Sequence, residues 1–213
     1  MILKYIICRV RPERRDQFSR GQQAWRALRN VDGFGGQFGG WHSDDANAAH
    51  IIGLWRDAAA YDAFMANLHD RIFESNEQQG TYDGGAVTLW DRRLPIPGAA
   101  DSMGRAIGDV RFVRIARCQV RPDRMDHFVH VQQTVWNPGM AAAGMLHGAF
   151  CRARNDEHAF LVCSLWPSEA DHRRYREGVF HDLRRQAEPD RDCTSISGAL
   201  VTIENAWQVT PGE

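Results

Sequence analysis

One stretch of this chain occurs twice, and the repetition constrains the fold more than any other feature of the sequence. Residues 8–18 read CRVRPERRDQF and residues 118–128 read CQVRPDRMDHF, so seven of eleven positions are identical at a constant offset of 110. An apolar run precedes each copy, and the proline within it suits the first turn of a helix. Each copy is therefore predicted to begin with a strand, a tight corner and a helix, and the chain is predicted to be a tandem duplication.

The remaining segments recur in the same order. In the first copy the patterns predict strands at 2–10, 34–42, 48–56 and 85–92, with helices at 13–28 and after the N-cap residue Asp57. In the second copy they predict strands at 111–120, 145–154, 158–166 and 196–207, with helices at 123–136 and 169–186. Each copy is thus β-α-β-β-α-β, which is the ferredoxin-like order.

The first strand is apolar on both of its faces, with Ile2 and Ile6 on one side and Leu3 and Ile7 on the other. A sheet that buries both faces needs a second cover beyond its own helices. We therefore predict an α+β fold in which two ferredoxin-like units pack sheet to sheet as an intramolecular α+β barrel. The predicted domains are 1–93 and 110–209, joined by a linker, 94–109, that is rich in proline, glycine and alanine.

Composition restricts the partners. The net charge is −1 and the chain has no basic stripe, which argues against nucleic acid. No apolar run approaches the ~18 residues of a membrane helix, and the N-terminus lacks the pattern of a secretory signal. The five cysteines are odd in number and form no CxxC pair, which is typical of reduced thiols in a cytoplasmic protein. A small-molecule ligand is the expected partner, and a homodimer of the two-domain chain stays open.

Two packed ferredoxin-like units resemble the dimeric α+β barrel superfamily, and within it the antibiotic-biosynthesis-monooxygenase-like proteins. The features that carry the resemblance are the strand order, a tryptophan that closes the third strand (Trp55, Trp166) and a histidine on the following helix (His69, His181). Residues 18–41, FSRGQQAWRALRNVDGFGGQFGGW, also resemble an uncharacterised bacterial branch of this superfamily. The resemblance implies a barrel fold and one of several activities, from cofactor-free oxygenases to haem-dependent enzymes and proteins without known activity.

The candidate catalytic residues are the pair His69 and Asp70, with His181 and Asp182 as the second-copy equivalents at an offset of 112. Imidazole is the usual general base at neutral pH. A histidine that bonds a carbonyl at a helix end is the structural alternative. The resemblance implies that haem-degrading relatives use a histidine on this helix and an asparagine on the first strand. The strand here, LKYIICRVR, has no asparagine, so we expect no cofactor and keep haem as the alternative.

A glycine-rich stretch at residues 33–41, GFGGQFGGW, predicts room for a ligand in the first copy. It lacks the order of a phosphate-binding loop. The candidate substrate-binding residues are Trp25, Trp41, Gln22, Gln37 and Phe38. The second copy, which carries Met145, Leu146 and Phe150 in the corresponding segment, is expected to be more filled. His127 and His130 lack a third ligand, so no metal site is predicted.

These patterns leave two functions open. The first is a cofactor-free monooxygenase in which His69 removes a proton from a small aromatic or polyketide-like substrate. The second is a non-catalytic barrel protein that binds a small ligand or haem, or that has a structural role.

Overall fold

The computed structural model describes residues 1–75 and 78–212, and within these ranges the protein is α+β. Its strands are β1 Ile2–Arg9, β2 Phe34–His42, β3 Ala48–Trp55, β4 Gly84–Ile96, β5 Phe112–Val120, β6 His147–Ala153, β7 Ala159–Trp166 and β8 Cys193–Ile203. Its α-helices are α1 Arg15–Gln23, α2 Ala58–Phe64, α3 Asp70–Ser75, α4 Met103–Ala106, α5 Met125–Val131, α6 Asn137–Ala142, α7 Glu169–Glu177, α8 Phe180–Ala187 and α9 Pro189–Asp192.

The strands follow the order β1-β3-β2-β8-β5-β7-β6-β4 and close into a barrel. This ring contains the order β4-β1-β3-β2 and, for the second copy, β8-β5-β7-β6. Both copies therefore have the same strand order, and the predicted α+β barrel of tandem ferredoxin-like units is confirmed.

The predicted corners and caps occur where the sequence places them. Pro12 and Pro122 each open a 3₁₀ turn that leads into the first helix of its copy. Asp57 accepts a hydrogen bond from the amide of Ala60 at 2.8 Å and so caps α2. Ser168 does the same for α7, accepting from the amide of Asp171 at 3.1 Å. Local hydrogen-bonding chemistry thus defines the helix starts.

Two helical segments depart from regular α geometry. A π-helical turn, Met65–His69, joins α2 to α3, and a second one, Gln132–Trp136, joins α5 to α6. In the first copy, α1 instead continues as a 3₁₀ segment, Ala24–Asn30. The first helix of the two copies therefore continues with different helical geometry at equivalent points.

The chain divides into two compact units, Met1–Trp90 with Val201–Glu213 and Asp91–Leu200. The first unit has a core around Trp55 and Phe64 and another around Phe18 and Trp207. The second unit has a core that includes Phe112, Phe128, Phe150 and Trp166.

The segment predicted as a linker contributes to the core of the second unit. Ile96, Met103 and Ile107 are buried there, and Ser102 caps α4 by accepting from the amide of Arg105 at 3.2 Å. The buried residues of this segment are scattered along short turns, so its sequence shows no regular spacing of apolar residues.

All five cysteines are free and buried. Cys8 and Cys118 occupy matching positions on β1 and β5, which confirms the prediction that they are buried and reduced. Burial raises the pKa of the Cys8 thiol to about 12, because the thiolate would lose its hydration.

The glycines of β2 allow close approach of neighbouring backbone. A Cβ on Gly40 would overlap the carbonyl oxygen of Thr202 in β8, and a Cβ on Gly39 would lie 3.3 Å from the ring of Trp207. Glycine in a strand commonly serves this purpose.

We therefore expect Gly40→Ala to lower the free energy of unfolding by about 1–3 kcal/mol, because the added methyl overlaps backbone rather than a movable side chain. Gly53→Ala is the matched control on β3, since its Cβ would have no neighbour closer than 3.8 Å. Urea unfolding of both variants measures the difference. Equal stability of the two variants would contradict this account of β2.

Candidate functional site

A cavity of about 220 Å³ lies in the first unit, between one face of β1, β3 and β2 and the helical segments that cover them. Its floor contains Lys4, Gly53 and Gln37, and the residues that wall it include Gln22, Trp25, Leu28, Phe34, Phe64, His69 and Phe73. A mostly apolar concavity with a few polar groups is typical of small-molecule sites.

Strand register builds the floor. Lys4 of β1 pairs with Gly53 of β3, and Gly53 pairs on its other side with Gln37 of β2. A β-bulge between Phe34 and Gly36 sets the register that brings Gln37 to this row. The three residues therefore lie side by side on one face. The room in the cavity comes from Gly53 rather than from the β2 glycines, none of which lines it.

Aromatic rings form the walls around His69. Its ring stacks on Phe73 with centroids 6.0 Å apart and an angle of 10°. The centroids of Trp25 and Phe64 each lie 5.6 Å from it. The indole of Trp25 is fixed because its Nε1 donates to Oε1 of Gln78 at 3.0 Å. These flat surfaces suit an aromatic ligand.

His69 ends the π-helical turn between α2 and α3, a type of irregularity that is frequent at functional sites. Its Nδ1 lies 2.8 Å from Oδ1 of Asp70, and Asp70 itself is exposed and does not line the cavity. The carboxylate accepts a hydrogen bond from Nδ1–H, and in this tautomer Nε2 carries the lone pair that can accept a proton. The pair thus has the arrangement of an oriented base.

Lys4 is a polar cavity residue that the sequence interpretation did not single out. It is 9% exposed, and its Nζ lies 5.6 Å from the ring centroid of Tyr61 and 5.9 Å from that of Phe64. Over residues 1–75 and 78–212, no carboxylate forms a salt bridge with it. Burial lowers the pKa of Lys4 from 10.5 to about 8. A lysine amid an apolar strand was the signal that could have identified it.

Both predicted glutamines line the cavity. Gln37 is 6% exposed, and its Nε2 has no hydrogen-bond acceptor within the described structure. Gln22 is buried on α1 and also borders the cavity. In the second copy, Gln132 is bound instead by Asn137, with its Nε2 donating to Oδ1 at 2.7 Å. The amides of the first copy are therefore the ones that face open space.

Two predicted binding residues lie elsewhere. Phe38 follows Gln37 along β2, so alternation turns it to the opposite face, where it is fully buried. Trp41 packs against Phe18 and Trp207 at centroid distances of 5.9 and 5.3 Å. Neither residue lines the cavity, and both are core residues in this structure.

The second unit has a cavity of about 50 Å³, lined by residues that include Arg114, Phe128, Gln132, Trp136 and Phe180. Phe180 occupies the position that corresponds to His69: its centroid lies 5.6 Å from Trp136 and 5.7 Å from Tyr175. The structural offset here is thus 111 and not 112. His181 and Asp182 are exposed instead, and Asp182 accepts from Arg185 at 2.7 Å.

His127 has a structural partner in the second unit. Its Nδ1 lies 2.8 Å from Oδ2 of Asp192, a fully buried carboxylate that also accepts from Arg124 at 2.9 Å. The histidine and Arg124 therefore bind a buried carboxylate, and this contact connects α5 to α9.

Comparisons with known proteins fit the fold. Residues 2–90 match the family described as Domain of unknown function (DUF4937), and residues 111–179 match Antibiotic biosynthesis monooxygenase. The chain is 37% identical over 97 residues to Uncharacterized protein YdbC of Bacillus subtilis (strain 168), which spans 45% of this chain and 82% of that protein. It belongs to the same family as YdbC. The match of residues 111–179 to Antibiotic biosynthesis monooxygenase confirms the resemblance predicted from the sequence.

Solved structures show the same architecture at low identity. A candidate monooxygenase from Lactobacillus acidophilus NCFM superposes with a TM-score of 0.77 at 14% identity, over 99% of this chain and 96% of that one. An anthrone oxidase-like protein gives a TM-score of 0.70 at 12% identity, over 100% of this chain and 94% of the other. At these identities the likeness concerns the fold. Within the described residues, no helix is long and apolar enough to cross a membrane.

The burial of Lys4 predicts a pH-dependent difference in stability between the wild type and Lys4→Met. Between pH 8 and 10 the unfolded chain holds a proton on Lys4 that the folded protein has largely lost, because its pKa is about 8 when folded and 10.5 otherwise. Raising the pH through this window should therefore stabilise the wild type relative to Lys4→Met, by about 1–3 kcal/mol in total.

Urea unfolding of both proteins at pH 7.5 and pH 10 measures this difference. The other titratable side chains that line the cavity, Cys8, His69 and Tyr82, are identical in the two proteins. Arg114→Met is the control at the matching β5 position, since a guanidinium does not titrate in this range. A wild-type advantage that stays constant or shrinks as the pH rises would contradict the burial of an unpaired ammonium.

Proposed function

We propose that this protein is a monooxygenase-like enzyme that needs no cofactor and oxidises a small aromatic substrate in the first-unit cavity. The observation that carries the proposal is His69, oriented by Asp70 and lining a cavity with aromatic walls. The family relationship supports oxygenase chemistry, and the cavity supports an aromatic ligand.

The volume of the cavity limits the substrate. A dry cavity of about 150 Å³ accommodates benzene, so 220 Å³ suits a molecule of one or two fused rings. A polyketide-like substrate with more fused rings would need the walls to move. Trp25 and Phe64 would then lie against the faces of the rings and fix their orientation.

The chemistry assigned to the protein is proton removal. A phenol or enol with an acidic C–H or O–H loses a proton to Nε2 of His69, and Asp70 stabilises the resulting imidazolium through Nδ1. The delocalised anion then supplies the electrons that reduce dioxygen, and the peroxide formed at a ring carbon takes the proton back from Nε2 of His69 to give a hydroperoxide. Loss of water leaves a carbonyl, so one oxygen atom enters the product and the other becomes water. The substrate itself is the reductant.

Haem fits the described cavity poorly. A macrocycle of four pyrroles is several times larger than the benzene that about 150 Å³ accommodates. The volume of the cavity therefore argues against haem as the molecule bound there.

A convenient probe is 1,5-dihydroxynaphthalene, whose oxygenation gives 5-hydroxy-1,4-naphthoquinone and water. We expect His69→Ala to lower kcat by about 10²–10⁴-fold, the range of a lost general base. His181→Ala is the matched control and should leave kcat unchanged, because His181 is exposed and does not line the second-unit cavity. Oxygen uptake and quinone absorbance measure both rates, and incorporation of one labelled oxygen from ¹⁸O₂ identifies the reaction.

If His69→Ala turned over the probe at the wild-type rate, His69 would not be the general base. Binding of the probe without oxygen uptake above the rate in buffer would favour the second function, a small-ligand-binding protein without turnover. The unpaired Nε2 of Gln37 in the cavity is compatible with that alternative as well.

A further inference from the structure

We propose that Lys4 and Gln37 form an anchor for an anionic oxygen, and that the ligand of the first-unit cavity is an aromatic molecule that presents a carboxylate or phenolate to this pair. This proposal adds the ligand class to the proposed function, and it rests on that function only because it takes the same cavity as the ligand site. It does not require turnover.

The pairing register of β1, β3 and β2 brings the two side chains to one face of the sheet. Lys4 pairs with Gly53, and Gly53 pairs with Gln37, so the two polar side chains rise from the same sheet face on either side of a glycine. Neighbouring strands lie about 4.8 Å apart, which separates the two Cα atoms by roughly 10 Å. An added Cβ on Gly53 would have no neighbour closer than 3.8 Å. The space above Gly53 can therefore hold a ligand oxygen between the two side chains.

Lys4 and Gln37 both bring hydrogen-bond donors to the floor of the cavity. The ammonium of Lys4 has three donors, and within the described chain it forms no salt bridge and lies 5.6 and 5.9 Å from two aromatic ring centroids. Nε2 of Gln37 is buried and lacks an acceptor there, which is costly for a donor. Both residues are more than nine-tenths buried. What this floor lacks is an acceptor, and an anionic oxygen can accept from both side chains.

The charge of the cavity lining also favours a negative ligand. The lining of the cavity, as far as the structure describes it, contains Lys4 but neither aspartate nor glutamate. A negative ligand would therefore meet no repelling carboxylate among the described lining residues and would pair with an ammonium in apolar surroundings, where the attraction is strong. Such an ion would also restore the pKa of Lys4 from about 8 towards its ordinary range.

The second unit provides an internal comparison. Arg114 has the β5 position that matches Lys4, and its guanidinium lies 5.9 Å from the ring centroid of Phe180. The residue across β7 is Ser164, followed on β6 by Gly148, so no amide corresponds to Gln37. The cavity there is about 50 Å³. The anchor and the space for a ligand thus occur together in the first unit.

The test is isothermal titration calorimetry of the full chain with 1-naphthoate and with 1-naphthamide, its neutral analogue of nearly the same shape. We expect the wild type to bind the carboxylate at least about tenfold more tightly, as for a charge-assisted hydrogen bond. Lys4→Met should lose this preference while still binding the amide, which shows that its cavity is intact. Arg114→Met should keep the preference.

A 1-naphthol arm identifies the source of the anion. An ammonium–phenolate pair formed from protonated Lys4 and the neutral phenol releases a proton, so 1-naphthol binding that tightens in the wild type, but not in Lys4→Met, as the pH rises to about 8 would identify a phenolate ligand. Preference for 1-naphthoate without this effect would identify a carboxylate. Gln37→Glu offers a second variant if Lys4→Met fails to fold, because the new carboxylate would compete for Lys4 and should abolish binding of 1-naphthoate.

Equal affinities of the wild type for 1-naphthoate and 1-naphthamide would overturn the proposal, and so would a preference that survives in Lys4→Met. Failure of all naphthyl probes to bind would overturn it together with the assignment of the cavity. Unchanged turnover in His69→Ala, by contrast, would contradict only the role of His69 as the base, and the proposed binding of an anion by Lys4 and Gln37 would be unaffected.

Discussion

The antiparallel pairing of β3 with β1 on one side and β2 on the other is the interaction on which the site depends. It brings Lys4, Gly53 and Gln37 into one row and leaves the middle position without a side chain. The helical segments then need only cover this row with Trp25, Phe64 and His69 to enclose a cavity. Backbone hydrogen bonds thus determine the position of the polar groups, and the aromatic side chains determine the shape of the space above them.

The two copies show how a duplicated fold can keep one site and fill the other. Where the first unit has His69, the second has Phe180, and where Gln22 borders open space, Gln132 is bound by Asn137. The first-strand cation is present in both copies as Lys4 and Arg114. The volumes, about 220 against 50 Å³, therefore differ together with both the covering helices and the strand position where Gly53 is replaced by Ser164.

Much of the fold could be predicted from the sequence, because the repeated strand-proline-helix corners and the caps at Asp57 and Ser168 are local features. The site was harder. Gln37 and Phe38 are neighbours on β2 and face opposite ways, and only the bulge at Phe34–Gly36 fixes which of them faces the cavity. The sequence offset pairs His69 with His181, whereas the helices bring Phe180 to that position. The burial of Lys4 depends on the covering helix, which the sequence of its strand does not show.

The central claim is that the first unit holds an aromatic anion in the cavity between its sheet and its helices. A crystal structure of the protein with 4-bromo-1-naphthoate tests this most directly, since the anomalous signal of bromine locates the ring without ambiguity. The account predicts a bromine peak among Trp25, Phe64 and His69, with the carboxylate within hydrogen-bonding distance of Nζ of Lys4 and Nε2 of Gln37. Bromine found only in the second unit or on the surface, with the first cavity empty at saturating ligand, would contradict it.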